Sequence, residues 1–304
     1  MTLTSQFVRS VAAGSRLVSG LRGRGRVGML LGHRCAGRLE RDFDIRMRMG
    51  HLMVAPSSSS QSWRAAFTGE YDDEMIRFLT AYVNPGALVL DIGASLGFYT
   101  VPLATAARSL GARVLAIEPV PVNCSFLRWN IVRNGLDDVV DVIDVALGSS
   151  ATTVDLHVEG SGAGNAAIAD GVEQGEMKRH DDAGRLGTRI TIDVARLDGL
   201  EIPDQRCSLI KMDVEGYELN VLAGAKDFVI ANRPVIFGEF SPEWLQSRGF
   251  AEDSPFQWAL THRYSAIHVY LRRAGHFTDR RQVVLKSAHR PDPGAEGLLL
   301  IPQR

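Results

Sequence analysis

The stretch VLDIGASLGFYT, residues 89–100, decides how the chain is read. Val89, Leu90, Asp91 and Ile92 read as the end of a buried strand. Residues 93–97, GASLG, read as a tight loop. Phe98 onward reads as a helix with Val101, Leu103, Ala104 and Ala107 at its apolar positions. A strand, a glycine loop and a helix in that order bring free backbone N–H groups to the mouth of a crevice where a nucleotide-like ligand sits. Gly93 and Gly97 let the backbone turn and approach that ligand closely. The pattern, acidic-x-Gly-x-x-x-Gly, is not the Gly-x-Gly-x-x-Gly of a dinucleotide site. Asp91, two residues before the first glycine, repels a pyrophosphate and welcomes an ammonium. S-adenosylmethionine carries that ammonium and no phosphate.

Short apolar runs alternate with amphipathic stretches on both sides of this unit. A helix is expected from Tyr71. Asp72, Asp73 and Glu74 favour its N-terminus, and Met75, Ile76, Leu79, Tyr82 and Val83 share one face. Strands are expected at 87–92, 113–118, 139–145, 208–212 and 235–240, with helices at 98–109, 121–134 and 216–232. That rhythm implies a parallel sheet covered on both faces. Residues 265–272 read as an edge strand and 297–302 as a closing strand. The expected fold class is therefore α/β, a Rossmann-like seven-stranded sheet with helices on both faces. Residues 151–158 and 188–195 read as two further strands around a Gly-, Asp- and Glu-rich excursion at 159–187, expected beside the crevice as a lid. Residues 41–55 read as a hairpin and 57–62 as a polar turn or linker. Phe126 and Trp129 read as core, and His180 with Asp181 and Asp182 as a solvated turn. Trp244 and Trp258 suit core packing, or stacking on a sugar at the crevice edge.

The 304 residues are divided by charge. Residues 1–48 hold ten Arg against three acids, whereas residues 49–304 hold 24 Lys plus Arg against 32 acids. The expected organisation is a basic extension at 1–64 and a folded domain at 65–304. The acidic body argues against DNA or RNA as substrate. Residues 1–38, with seven Arg and no acid, fit a transit peptide, a helix lying on an anionic membrane, or a loosely packed terminal arm. Cys35, Cys124 and Cys207 form no CxxC pair, so a reducing, cytoplasmic setting is expected rather than a disulfide framework or a zinc cluster. No apolar run reaches the roughly 18 residues that a membrane helix needs.

Acids mark the remaining strand ends. Glu118 closes the second strand, 25 residues after Gly93. In a doubly wound sheet the first two strands end side by side, so an acid there reaches the two ribose hydroxyls of a bound nucleoside. A solvent-exposed strand-end Glu is the plainer reading. Asp144, near the end of the third strand, is placed for an adenine amino group, with Asp141 as its competitor. Lys211, Asp213, Glu215 and Glu218 crowd the mouth of the fourth strand and the helix after it. Glu215 and Glu218 also suit a helix N-terminus, and Lys211, inside a strand, wants a carboxylate partner.

On these residues the chain resembles the FkbM family of S-adenosylmethionine-dependent methyltransferases. The likeness is carried by Asp91-Ile92-Gly93-Ala94 with Gly97, by Ile117-Glu118-Pro119, and by Asn134-Gly135-Leu136. It is densest at IKMDVEGYE, residues 210–218, with Leu222, Gly224 and Ala225, and extends to Arg233-Pro234 and Glu239. The resemblance implies a class I methyltransferase sheet and S-adenosylmethionine as cofactor. It implies methyl transfer to an oxygen of a hydroxylated acceptor: a sugar, glycan, lipid or polyketide-like molecule. The cofactor-binding candidates are Asp91, Gly93, Ala94, Gly97, Glu118 and Asp144. The catalytic candidates are Asp213, Glu215 and Glu239, and no metal is assigned. A nicotinamide-dependent oxidoreductase and a non-catalytic nucleoside-binding protein are the competing readings. Peripheral membrane contact through the basic N-terminus stays open.

Overall fold

The computed structural model describes residues 42–158, 166–168, 188–273 and 281–303. The arm at 1–38, Cys35, His180 with its two aspartates, and most of the 159–187 excursion lie outside the described residues. The described chain opens with a hairpin, β1 (Phe43–Arg46) and β2 (Leu52–Ala55), then α1 (Ser60–Thr68) and α2 (Asp73–Thr80). Next come β3 (Leu88–Ile92), α3 (Thr100–Ser109), β4 (Arg113–Ile117), α4 (Pro121–Arg133) and β5 (Val140–Ile143). A second sheet is built from β6 (Ala146–Leu147), β7 (Thr152–Val158), β8 (Ala166–Ile168) and β9 (Thr188–Ala195). The chain returns to the main sheet through β10 (Cys207–Met212), α5 (Glu218–Ala223), α6 (Lys226–Asn232) and β11 (Val235–Gly238). It closes with α7 (Pro242–Ser247), α8 (Ser254–Thr261), β12 (Tyr264–Arg273), β13 (Arg281–Ser287) and β14 (Gly297–Pro302).

The main sheet runs β13-β12-β14-β11-β10-β3-β4-β5. From β11 to β5 neighbouring strands are parallel, and the three last strands of the chain add antiparallel. The α/β class and the Rossmann-like sheet are as expected, with eight strands in place of seven. The additional strand is β13, whose RQVVLKS sequence leaves Leu285 exposed. β12, expected at the edge, lies between β13 and β14. The strands at 152–158 and 188–195 pair with each other, outside the main sheet.

Strand periodicity sends alternate residues to opposite faces. Leu88, Leu90 and Ile92 pack with Leu219, Leu222 and Val229 from α5 and α6. Val89 packs with Met75, Leu79, Val101, Ala104 and Leu127 from α2, α3 and α4. Helices thus cover both faces.

Three local expectations are corrected. The helix expected over 216–232 is two, and they part at Gly224, where a side chain would lie 1.9 Å from the Gly148 carbonyl oxygen. The polar stretch 57–62 is no linker: α1 starts within it, and Trp63 is fully buried with its Nε1 donating to the Ser57 carbonyl at 2.8 Å. Nor does the fold divide at residue 64. Ile45, Met53 and Ala55 of the hairpin belong to the same core as Val89. Asn130 on α4 fastens β2 by accepting from Val54 N at 2.6 Å and donating to Val54 O at 3.0 Å. That hairpin seat leaves Trp129, one residue earlier, 53% exposed rather than in the core.

Candidate functional site

β3, β4 and β10 end side by side, and their carboxyl ends form one wall of a crevice of about 860 Å³, its open mouth included. Gly93 and Ser95 lie on its floor, Glu118, Val120 and Asn123 on one side, and Asp213, Val214 and Glu215 on the other. Val145, Ala146, Leu147, Leu156 and Ile192 add an apolar side from the second sheet, so the flanks of the 159–187 excursion do border the crevice. Gln61 and Tyr71, from α1 and the turn after it, also line it, as do Ile92, Ile117, Pro119 and Tyr217. Among the described residues it holds three carboxylates and no Lys or Arg.

Asp91 is not at the mouth. It is one residue short of the strand end, so the period of two turns its side chain into the α3 face, where it is 0% exposed. Thr100 Oγ1 donates to its Oδ2 at 2.6 Å, and Lys211 Nζ lies 3.1 Å from its Oδ1. Asp91 and Lys211 are direct partners across β3 and β10. Asp91 thus lies outside the crevice lining, paired with Lys211, and not at the strand mouth where it was expected. That pair also explains a lysine in a strand. Burial pushes the Lys211 amine down, but Asp91 and Asp213 outweigh it and leave it above its ordinary value. Lys211 donates to the Gly93 carbonyl at 3.2 Å and lies 4.0 Å from Asp213, tying the glycine loop to the end of β10.

The glycine loop is also less open than expected. Gly93 N and Ala94 N both donate to the Ile117 carbonyl, at 2.9 and 3.1 Å, and Gly97 N donates to Ala94 O at 2.9 Å. Ser95 N donates to Glu118 Oε2 at 2.9 Å. These four N–H groups are committed within the protein. Gly93 sits at φ +74°, and a side chain there would lie 2.0 Å from the Asp213 carbonyl oxygen. Its smallness lets β10 approach, rather than a ligand. Gly97, at φ +89°, makes room for Leu127 in the same way.

Glu118 does line the crevice. Its Oε1 accepts from Val120 N and Asn123 Nδ2, both at 3.0 Å, beside the Ser95 contact to Oε2. A carboxylate offers about four acceptor sites, and three of them are filled by these protein donors. Burial pushes its pKa up, opposed by Asn123 and the two backbone donors. Asp144 is not in the lining. Arg128 clasps it through two nitrogens, at 2.9 and 2.7 Å, and Asp141 is paired with Arg113 at 2.7 Å. Val145, Ala146 and Leu147 are in that lining instead.

Of the catalytic candidates, Asp213 and Glu215 line the crevice, whereas Glu239 lines an adjoining groove of about 620 Å³ with Glu296 and Phe240. Burial, then the charges of Asp213, Glu296 and Asp72, lift the Glu239 carboxyl to about 7. Trp244 and Trp258 line neither space; Trp258 stacks on His262 with ring centres 4.3 Å apart. The turn that presents Asp213 and Glu215 is unusual, with Glu215 at φ +53° and Gly216 at φ +91°. Sequence reasoning gave its fastening, Glu218, only a helix-start role. Glu218 is 0% exposed, and its Oε1 accepts from Val214 N at 3.2 Å and Gly216 N at 3.4 Å. Its spacing from Val214 was the available signal.

Burial lifts the Glu218 carboxyl from its ordinary 4.5 to about 8, against the pull of those N–H groups. Between those values the folded protein holds a proton that the unfolded chain has released. Stability that is fully present below 4.5 is then lost as pH rises through about 8. The slope approaches about 1.4 kcal/mol per pH unit. Urea titrations across this window are expected to show a steeper fall for the wild type than for Glu218→Gln, which keeps the acceptor and cannot ionise. Equal slopes refute a buried, protonated Glu218.

Comparisons with known proteins identify the family of the chain. The model of the Methyltransferase FkbM domain covers residues 91–277. The chain belongs to the FkbM methyltransferase family. It is 31% identical over 165 residues to Methyltransferase sdnD of Sordaria araneosa, an alignment covering 47% of this chain and 61% of that protein. It is 41% identical over 69 residues to a ribosomal protein L11 methyltransferase of Pelotomaculum thermopropionicum, covering 22% of this chain and 21% of the relative. A crystal structure of methyltransferase FkbM from Methylobacillus flagellatus KT aligns at a TM-score of 0.42 and 17% identity. That alignment covers 91% of this chain and 59% of the other. The chain thus spans less than two thirds of the length of each of these proteins. No helix among the described residues is long and apolar enough to cross a membrane.

Proposed function

We propose that this FkbM-family chain transfers a methyl group from S-adenosylmethionine to a hydroxyl oxygen of a sugar, glycan, lipid or polyketide-like acceptor. The observation that carries the reading is the crevice lining: Glu118, Asp213 and Glu215, with no Lys or Arg among the described residues. Such a lining suits a ligand carrying a sulfonium and an ammonium. It opposes the pyrophosphate of a nicotinamide cofactor, as do the committed N–H groups of the glycine loop. The residues present therefore fit S-adenosylmethionine: Glu118 would take a ribose hydroxyl, and Val145, Ala146 and Leu147 the adenine face.

The donor, when bound, supplies a methyl already activated by positive sulfur. The protein's part is then to place the acceptor hydroxyl and take its proton. Positioning alone can contribute roughly 7–11 kcal/mol to such a reaction, and a base about 10²–10⁴-fold. Asp213 and Glu215 are the candidates to orient the hydroxyl at the mouth of β10. Glu239, in the groove lined with Glu296, stands outside the crevice and is the third candidate base. The acidic body makes nucleic acid a poor acceptor.

Calorimetry with S-adenosylhomocysteine tests the donor. The wild type is expected to bind it and to ignore NADH. Glu118→Ala is expected to weaken binding at least about 10-fold, the worth of one charge-assisted hydrogen bond. Binding of NADH in place of S-adenosylhomocysteine sinks the reading.

A further inference from the structure

The groove of about 620 Å³ lies one strand along from the crevice. Asp213 and Glu239 follow Met212 and Gly238, which are direct partners on the parallel strands β10 and β11. The two acids therefore stand at neighbouring strand ends, Asp213 in the crevice and Glu239 in the groove. β14 runs antiparallel beside β11, with Leu298 opposite Gly238, so Glu296 arrives at the same end of the sheet. Among the described residues neither Glu239 nor Glu296 has a side-chain hydrogen bond or an ion pair. The other acids of the lining are engaged. Asp292 accepts from the Tyr270 hydroxyl at 2.6 Å and from Gly294 N at 2.8 Å, Glu243 accepts from Ser241, and Glu252 from Gln246.

His268 on β12 reaches the same groove and is only 7% exposed. Its Nε2 lies 2.8 Å from the Arg290 carbonyl oxygen. A carbonyl can only accept, so the ring hydrogen is on Nε2, and Nδ1 of the neutral ring is an acceptor. Nδ1 has no hydrogen-bond partner among the described residues. Phe256 meets the imidazole at a steep angle, with ring centres 5.8 Å apart. The groove thus turns two unpaired carboxylates and a buried imidazole nitrogen toward one space, and acceptors left without donors are costly. Phe240, Phe256, Pro242, Pro255 and Leu298 supply an apolar surface between them. Lys211, whose charge reaches Glu239 from β10, is already paired with Asp91.

We infer that this groove binds a protonated amine of the acceptor, which is then an amino-bearing hydroxyl compound, an amino sugar or an amino alcohol. An ammonium brings N–H donors to Glu239, Glu296 and His268, and the positive charge that two neighbouring carboxylates lack. The apolar surface takes the carbon frame. With its amine held one strand away, the acceptor presents its hydroxyl to Asp213 and Glu215 at the end of β10, and Glu239 becomes a binding group. The inference rests on the methyl-transfer reading above and narrows its acceptor.

The test is a ligand-observed NMR titration of the full chain saturated with S-adenosylhomocysteine, with glucosamine as the amine probe and glucose as its neutral counterpart. Glucosamine is expected to bind about 10–100-fold more tightly than glucose, the worth of one hydrogen bond to a charged group. Glu239→Gln and Glu296→Gln keep the shape and remove the charge. Each is expected to lose most of that preference while holding S-adenosylhomocysteine within about twofold of the wild type, since neither residue lines the crevice. Equal affinity for the two sugars overturns the inference, as does a preference that survives both substitutions. So does a matching loss of S-adenosylhomocysteine in both variants, which would make the acids supports of the fold. A wild type that does not bind S-adenosylhomocysteine fails the donor reading instead, before any sugar is added.

Discussion

Lys211→Met is expected to destabilise the fold by about 3–5 kcal/mol, the usual cost of stranding one partner of a buried ion pair. Lys211 is 3% exposed and Asp91 fully buried. Without the amine, the Asp91 carboxylate keeps only the Thr100 hydroxyl. The Gly93 carbonyl loses its donor, and Asp213 loses its nearest positive charge. Asp91→Asn strands Lys211 in turn, although Asp213 at 4.0 Å and the ring of Tyr99 at 4.9 Å soften that loss. The double variant Asp91→Asn, Lys211→Met has no charge left to strand, so it is expected to recover most of the Lys211→Met loss. Chemical denaturation of the four proteins gives the coupling energy directly. Costs that simply add would show that water reaches the pair and that it does not fasten β3 to β10. The same variants bear on the proposed site, because Lys211 joins the glycine loop to the residue that presents Asp213.

The features legible in the sequence were those decided by near neighbours. Residues 88–92 and 207–212 are apolar runs bounded by turn residues, and both are strands. The hairpin at 43–55 shows in its alternation, and the residues that close the crevice, Glu118, Asp213 and Glu215, show as acids at strand ends. The features that escaped were set by partners far along the chain. The break at Gly224 falls where Gly148 packs against the chain. α1 hides in a serine-rich stretch because its anchor, Trp63, finds its burial only in the assembled core. Asp91 lies away from its expected place at the mouth for a subtler reason. An acid beside a glycine loop suggests a ligand, but one residue of strand register decides whether it meets the mouth or the face. The lysine that claims it lies 120 positions away in sequence and adjacent in the sheet. Tyr71 and Gln61 carried no motif, yet both line the crevice.

Gly93→Ala against Gly86→Ala separates backbone strain from strand approach. Both glycines have similar positive φ, +74° and +68°. An alanine forced into that region costs roughly 1–2 kcal/mol. At Gly86 nothing lies within 4 Å of the added carbon, so the strain is the whole expected cost. At Gly93 the carbon would stand 2.0 Å from the Asp213 carbonyl oxygen and 2.9 Å from its carbon, both backbone atoms that cannot swing aside. Pushing β10 away adds a further 1–3 kcal/mol or so of overpacking. It also opens the Asp213 N–H contact to Ile92 O, now 3.0 Å. Gly93→Ala is therefore expected to lose about 2–5 kcal/mol in denaturant titrations, and Gly86→Ala about 1–2. Binding of S-adenosylhomocysteine should fall with the first variant and hold with the second, since only Gly93 sets the spacing between the loop and Asp213. Equal losses of stability would mean that the two strand ends part freely. The glycine would then serve the turn alone, and the narrowness of the crevice would have to come from elsewhere.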